Sequence, residues 1–430
     1  MYGSRLQHTI VLIATALLVI SFLTYYTHNI SYFSPLHALS SLSASWPLSQ
    51  SLPPSTSVSS NLLGKVHDAY NTTDLLKFAT KRPDGNYYPP QYTEYGDHPI
   101  PRIKAGFIVL VRNSELDAMK ASMKQVEDKF NKNFNYPWIF LNNEPFTAKF
   151  EQEVKTMTNS KVRFGLIPKE HWSFPQWVSP ERAAETREKM REKVPYGDSE
   201  SYRHMCRYQS GFFFQHPLTL DLDFYWRVEP GIQLHCELNY DPFLFMAMNN
   251  KTYGFTIALY EFFETVTTLY QTSRDFLKTH PHYINDQASI RFLSDEPDKS
   301  IDDKWNLCHF WSNFEIGNLN FWRSKEYMEY FDYLDKSGGF FYERWGDAPV
   351  HSIAVALFLD KSRVHQFDDI GYTHHPWTHC PADVEAYQSG KCQCDPAKSF
   401  DKDGYSCLRQ WWANIDDKKP LHSVRRSTLH

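Results

Sequence analysis

Hydrophobic positions form one long block near the start of the chain and many short ones further on. From Thr9 to Tyr26 the residues are mostly apolar and none is charged. Coiled as a helix with a 1.5 Å rise per residue, this block nearly crosses a hydrocarbon core of ~30 Å. Arg5 precedes it, and Tyr25 and Tyr26 stand at its far end. That arrangement predicts a signal anchor at 9–26, a cytosolic tail at 1–8 and a lumen-facing remainder. A cleaved signal peptide would show a shorter apolar core followed by a small-x-small site. No such site stands out after Tyr26. Residues 27–82 have no sustained apolar period and include Ser40–Ser41, Pro53–Pro54 and Ser59–Ser60, the composition of a flexible stem.

The pattern changes in the segment 83–415, the expected catalytic domain. Ala105 to Val111 is a continuous apolar run, as in a strand buried on both faces. Ser114 and Asp117 predict a capping box, and Met119, Met123, Val126 and Phe130 follow at helical spacing. Trp138–Leu141 predicts the next strand. Phe150, Val154 and Met157 predict a helix, and Val162–Ile167 a third strand. The order β-α-β-α-β predicts an α/β domain with a parallel sheet and helices on its faces. Ligands of such sheets bind at the carboxyl ends of the strands. The polar, basic tail at 416–430 is expected to fray.

Composition narrows the reading. The chain is 42% hydrophobic and 16% aromatic, which supplies a large core and excludes disorder over most of its length. A formal charge of −5 argues against nucleic acid as a partner. Seven cysteines are present, and Cys380, Cys392, Cys394 and Cys407 lie close together. In a lumenal protein these predict disulfides rather than a zinc site, and the odd number leaves at least one thiol over. Sequons stand at Asn29, Asn71 and Asn250.

Five segments hold residues suited to chemistry. In the first, Tyr202, Met205, Gln209 and Phe212 or Phe213 share one helical face, with Arg203 and Arg207 expected on the exposed side. In the second, Asp221-Leu-Asp223 resembles a metal–nucleotide pattern, but it precedes the strand-like Phe224–Val228. Glu229 follows that strand at the ligand-binding edge and is the preferred carboxylate. The third, Cys308–Gly317, sets Glu315 among bulky apolar residues; on a strand Asn313 and Glu315 would face the same way. In the fourth, Asp347 lies just before Pro349, where its simplest role is a helix N-cap. The fifth holds His374, His375 and His379, suited to a metal or phosphate contact.

Taken in order, Tyr202-Arg-His-Met-Cys-Arg, Tyr225-Trp-Arg-Val-Glu-Pro-Gly, Cys308-His-Phe-Trp-Ser-Asn-Phe-Glu-Ile, Arg344-Trp-Gly-Asp-Ala-Pro and Gly371-Tyr-Thr-His-His-Pro resemble the fungal α-1,2-mannosyltransferases of glycosyltransferase family 15. The resemblance spans about Arg82 to Trp412. It implies a GT-A-like nucleotide-sugar fold in a single lumenal domain, Mn²⁺ as cofactor, GDP-mannose as donor and retention at the anomeric carbon. It implies mannose-ended glycans of glycoproteins as acceptors, and a Golgi membrane location. His374 is the implied metal contact, and Glu229 stands where other GT-A enzymes carry Asp-x-Asp. Glu315 is the implied nucleophile or transition-state stabiliser, and Tyr202 lies near the reacting centre. Asp347 and Tyr372 belong to the matched stretches and are assigned to the nucleotide site. Arg227 and Arg203 are expected to support the charge on departing GDP. The rival expectations are a catalytically silent scaffold or lectin of the same fold, and a lumenal glycoside hydrolase with two carboxylates.

Overall fold

A computed structural model of the protein describes Leu76 and residues 79–94, 102–295 and 300–415. The expected cytosolic tail, anchor, tail segment 416–430, most of the stem, Asn29 and Asn71 lie outside those residues. No helix among the described residues is long and apolar enough to cross a membrane.

The first three predicted strands form as β1 (Ala105–Leu110), β2 (Trp138–Asn142) and β3 (Val162–Leu166). Helices α1 (Leu116–Val126) and α2 (Ala148–Lys155) connect them. Four further strands join the same sheet: β4 (Phe224–Arg227), β5 (Tyr253–Phe255), β8 (Ile316–Asn318) and β9 (Val364–Gln366). The spatial order is β9-β5-β8-β4-β1-β2-β3. All neighbours run parallel except β8, which is antiparallel to both β4 and β5. Between β5 and β8 the chain makes a separate antiparallel pair, β6 (Ala258–Tyr260) with β7 (Cys308–Phe310).

Each face of the sheet has its own core, which is why β1 reads as an unbroken apolar run. Phe107, Val109, Trp138, Phe140 and Trp226 pack on one side; Ile108, Ile139, Leu141 and Tyr225 pack on the other. The start of α1 departs from expectation. Glu115, not the Ser114–Asp117 box, holds it: its carboxylate accepts the Arg112 backbone N–H at 2.8 Å. Arg112 is the turn residue closest to the strand, so Glu115 is the acid within reach.

The second face is covered by α3 (Glu200–Gly211), α4 (Lys325–Ser337) and α5 (Asp347–Phe358). The Ser199 hydroxyl caps α3 by accepting the Tyr202 N–H. At the other end of α3, a Cβ on Gly211 would lie 2.0 Å from the Phe331 ring, so only glycine lets α4 approach. Arg207, expected on the surface, is buried. Its Nε and Nη2 donate to the two oxygens of Asp335 on α4 at 2.7 and 2.8 Å. Covering both sides of α3 leaves no exposed face for it. Asp335→Ala would strand this buried guanidinium and is expected to cost ~3–5 kcal/mol, measured as a shift in the urea midpoint at unchanged m-value.

Two disulfides tie the carboxyl-terminal part to earlier segments, Cys236–Cys392 after the strand Gln233–Leu234 and Cys308–Cys407 at β7, and a third, Cys380–Cys394, closes a loop within it. Cys206, buried in α3, is the free thiol. The sequon residue Asn250 is exposed on the turn after a helix.

Candidate active site

The site grows from the end of β4. Successive strand residues point to opposite faces, so Tyr225 and Arg227 share the face that α5 covers. Antiparallel register sets Glu315 opposite Arg227, and the Arg227 N–H donates to the Glu315 carbonyl at 2.9 Å. Helix α5 presents Asp347 from its first turn. Asp347 Oδ2 accepts from the Arg227 guanidinium and, at 2.7 Å, from the Ser312 hydroxyl. One turn on, His351 Nδ1 lies 3.1 Å from Glu315 Oε2.

Past the strand, Glu229-Pro-Gly makes a sharp turn, with Gly231 at φ +87°. A side chain is disfavoured in that left-handed region, so glycine sets the turn. The chain then forms the short strand Gln233–Leu234, which pairs antiparallel with Tyr372–Thr373. That pairing carries His374 back over the end of β4. Glu229 consequently stands between two partners. Its Oε1 accepts from Arg227 Nε at 2.9 Å, and its Oε2 lies 3.2 Å from His374 Nε2.

Two cavities meet at this point. The first, about 440 Å³, opens over the carboxyl ends of β1, β2 and β4. Leu110, Arg112, Asn142 and Asn143 form its floor, and Trp172 and Gln209 line its side. The second, about 400 Å³, is walled by Trp311, Trp377, Tyr405, Glu261, Arg344 and Asp347. Tyr196, Tyr202, Met205, Arg227, Glu229 and His374 line both. Tyr196 stacks flat on Tyr202, their ring centroids 4.5 Å apart. Arg344 lies over the Tyr202 ring at 5.3 Å, and its Nη2 donates to Glu261 at 3.3 Å.

The predicted residues therefore divide. Tyr202, Arg227, Glu229 and His374 come together on the shared wall, and Asp347 lines the second cavity. Asp347 is no N-cap, since Gly346 holds that position; its carboxylate serves Arg227. Arg203 lies away from the cleft. It is buried on the opposite side of α3, donating to the Glu343 and Ser199 carbonyls at 3.1 and 3.0 Å. A guanidinium spent on backbone carbonyls leaves no fork for phosphate. Tyr372 is buried and lines neither cavity; its hydroxyl donates to Asn313 at 2.9 Å. Asn313 lies in a turn rather than on a strand, so it and Glu315 do not share a face. Glu315 is fully enclosed. It accepts from the Tyr225 and Tyr253 hydroxyls at 2.8 and 3.0 Å and lines neither cavity. His375 lines the second cavity, whereas His379 is buried with Asp401 at 2.8 Å. At the amino end of β4, Asp221 is exposed and pairs with Arg163 at 3.0 Å.

Charge is strongly organised here. Burial would raise the Glu229 pKa, but Arg227 and His374 outweigh it and hold Glu229 down to about 2. Burial would lower His374, but its bond to Glu229 outweighs that and raises it. Asp347 is likewise held low: burial opposes its charge, and Arg227 and His351 overcome it. The pair Glu229–His374 suits a divalent cation. Adjacent ligands on an octahedral ion with bonds of about 2.1 Å lie about 3 Å apart, close to the 3.2 Å observed. Among the described residues no group of three or more His, Cys, Asp or Glu side chains suited to a metal ion occurs. Other positions would fall to phosphate oxygens and water, as is usual for hard cations.

A cation held here would compete with the proton for His374 Nε2. A raised folded pKa keeps the proton on at low pH, and it leaves as pH rises through that raised value. Mn²⁺ affinity of the nucleotide-free protein is therefore expected to climb with pH and level off above the His374 pKa. Calorimetric titration across pH would measure it; a pH-independent affinity counts against His374 as a ligand.

Residues 67–416 match the glycosyltransferase family described as glycolipid 2-alpha-mannosyltransferase. The chain belongs to glycosyltransferase family 15. A glycolipid 2-alpha-mannosyltransferase of Saccharomyces cerevisiae is 53% identical over 76% of this chain and 72% of its own length. The α-1,2 mannosyltransferase KTR1 of the same yeast is 50% identical over 78% and 85%. Among solved structures, the Mn/GDP form of core-mannan synthase A from Aspergillus fumigatus superposes with a TM-score of 0.69 at 40% identity, covering 78% of this chain and 92% of that one. The GDP complex of Ktr4p from S. cerevisiae gives 0.72 at 37%, covering 86% and 95%. The fold is the GT-A-like one expected for family 15, with its mixed, mostly parallel sheet.

Sequence reasoning did not single out Arg112, Tyr196, Arg344 or His351. Arg112 directly follows the apolar strand, so its place at the ligand edge was legible there. Arg344 opens one of the matched family stretches. Tyr196 and His351 left no local signal, because their partners are distant in the chain.

Proposed function

We propose that this family 15 protein is a retaining α-1,2-mannosyltransferase. It moves mannose from GDP-mannose to the 2-hydroxyl of terminal mannose on N- or O-linked glycans, with Mn²⁺, in the Golgi membrane. One observation carries the reading: the Glu229–His374 pair sits at the carboxyl edge of β4, on the wall shared by two cavities. The relatives' printed activities and the Mn/GDP-bound neighbour support it.

The cavity over β1, β2 and β4 receives the donor, as carboxyl-end crevices of such sheets receive nucleotides. Glu229 and His374 would hold the cation, whose charge offsets that developing on departing GDP. The buried Arg227 guanidinium adds a fixed positive charge at the same place. The aromatic-walled cavity receives the acceptor mannose, with Trp311, Trp377 and Tyr405 offering ring faces. Burial raises the Tyr202 hydroxyl well above its ordinary range, so it stays neutral and donates a hydrogen bond between the two substrates.

Retention can proceed through a covalent glycosyl–enzyme or by attack on the leaving-group side. The enclosure of Glu315 favours the second. The bond from mannose C1 to phosphate oxygen breaks as the bond to the acceptor 2-oxygen forms on the same face. The acceptor proton passes to the departing phosphate. Glu315 then acts as a positioning and field residue, beneath Arg227 and beside His351.

The test is turnover of GDP-mannose with α-methyl mannoside, with and without EDTA, followed by linkage analysis. An EDTA-sensitive α-1,2 product is expected. Binding of mannosides without turnover would indicate a lectin-like scaffold. Hydrolysis of mannosides without nucleotide would indicate a glycosidase.

A further inference from the structure

A third cavity, of about 690 Å³, lies behind the acceptor wall and is larger than either part of the active site. Consecutive residues line the two cavities. Phe262 lines the acceptor cavity, and its neighbour Phe263 lines the third one. Both rings are exposed, Phe262 at 41% and Phe263 at 53%. The segment is anchored rather than loose. The Glu261 N–H donates to the Leu307 carbonyl at 2.8 Å, and Arg344 ties to Thr265 and Glu261. Two adjacent exposed phenylalanines on a fixed ridge cost hydration unless something covers them.

The chemistry of the third cavity resembles that of a sugar site. Tyr270 and Trp305, both largely buried, stack with centroids 5.9 Å apart and line its back. Arg274 donates to Asp302 at 2.6 Å, while its buried Nε has no hydrogen-bond partner among the described residues. Ring hydroxyls both donate and accept, so they match a rim of carboxylate and guanidinium. Asp295, Asp302 and Asp303 outnumber Arg274 and Lys304 on the lining, which disfavours a phosphate or another anion. The stacked rings and ridge present faces rather than unpaired strand edges, which disfavours an extended peptide.

We propose that this cavity is an extended acceptor subsite. It holds inner mannose residues of a neutral oligosaccharide whose terminal mannose sits in the acceptor cavity, with the chain crossing the Phe262–Phe263 ridge. The assignment rests on the reading of the second cavity as the acceptor site, and it names the acceptor as a multi-residue mannan rather than a lone mannose.

The test compares α-methyl mannoside with a linear α-1,2-mannotetraose as acceptors, in the wild type and in the double variant F263A/D302N. Both side chains are exposed and touch only the outer cavity, so folding and the reacting centre are spared. The wild type is expected to show kcat/KM for the tetraose at least about fivefold above that for the monosaccharide. The variant should lose that gain through KM and keep its rate on α-methyl mannoside. No gain in the wild type, or an equal gain in the variant, overturns the proposal. A single-mannose glycopeptide forms a further arm. If peptide rather than sugar length brings a gain that the variant loses, the surface reads polypeptide and the proposal fails. Should neither acceptor be mannosylated, the proposed function fails on its own. The subsite is then judged by tetraose binding in calorimetry without donor: binding weakened in the variant sustains it, and equal or absent binding overturns it.

Discussion

Glu229→Gln is expected to lower kcat/KM for mannosyl transfer by about 10³-fold or more, the scale of losing a principal source of leaving-group stabilisation. The change keeps the shape of the side chain but removes its charge and one of the oxygens proposed to hold the cation. Glutamine still accepts from Arg227 through its carbonyl, and Arg227 keeps its pair with Asp347. The fold should therefore survive, with little change in melting temperature. His374→Ala removes the other proposed ligand of the same pair. The double variant should be barely worse than either single one, because residues acting as one unit are not additive. Steady-state kinetics with Mn²⁺ titration checks this. Near-normal turnover in Glu229→Gln, saturable at ordinary Mn²⁺ levels, would remove the cation from that place.

Glu315→Gln should depress kcat by about 10²–10³-fold while GDP affinity stays within about threefold. The carboxylate is buried under two tyrosine hydroxyls and His351. Its negative charge faces the cross-strand neighbour Arg227 and favours positive charge developing on the sugar. Glutamine fills the same space, and one tyrosine hydroxyl can turn to accept from its amide. On the proposed reading GDP binds at the strand ends, away from this change. Turnover together with GDP calorimetry reads both quantities. A variant that turns over normally would show that the enclosed charge does not reach the reacting centre. Trapping a mannosyl ester on Glu315 in the wild type would instead restore the covalent path.

Much of the architecture was legible because it is written in short-range periodicity. An unbroken apolar run such as 105–111 can only be comfortable between two covered faces, and the alternation with helical spacing at Met119, Met123 and Val126 made a parallel order readable. Strand direction alone placed Glu229, and not Asp221, at the ligand edge. The disulfide reading was available from cysteine crowding and compartment, although the pairing of Cys236 with Cys392 was not.

Sequence alone determined the class of fold and the strand end at which Glu229 stands, and the family resemblance pointed to His374, which meets it there. Only the tertiary structure decided which way side chains on a crowded helix turn. Arg203 and Arg207 looked like surface cations until α4 and the 343 region closed over α3, giving Arg203 the Glu343 carbonyl and Arg207 the Asp335 carboxylate, partners that no local pattern encodes. It likewise decided that Glu315 and Tyr372 are enclosed while Asp347 is on a cavity wall. Periodicity says which residues share a face; what covers that face is settled by segments more than a hundred residues away, through packing that leaves no trace in local spacing.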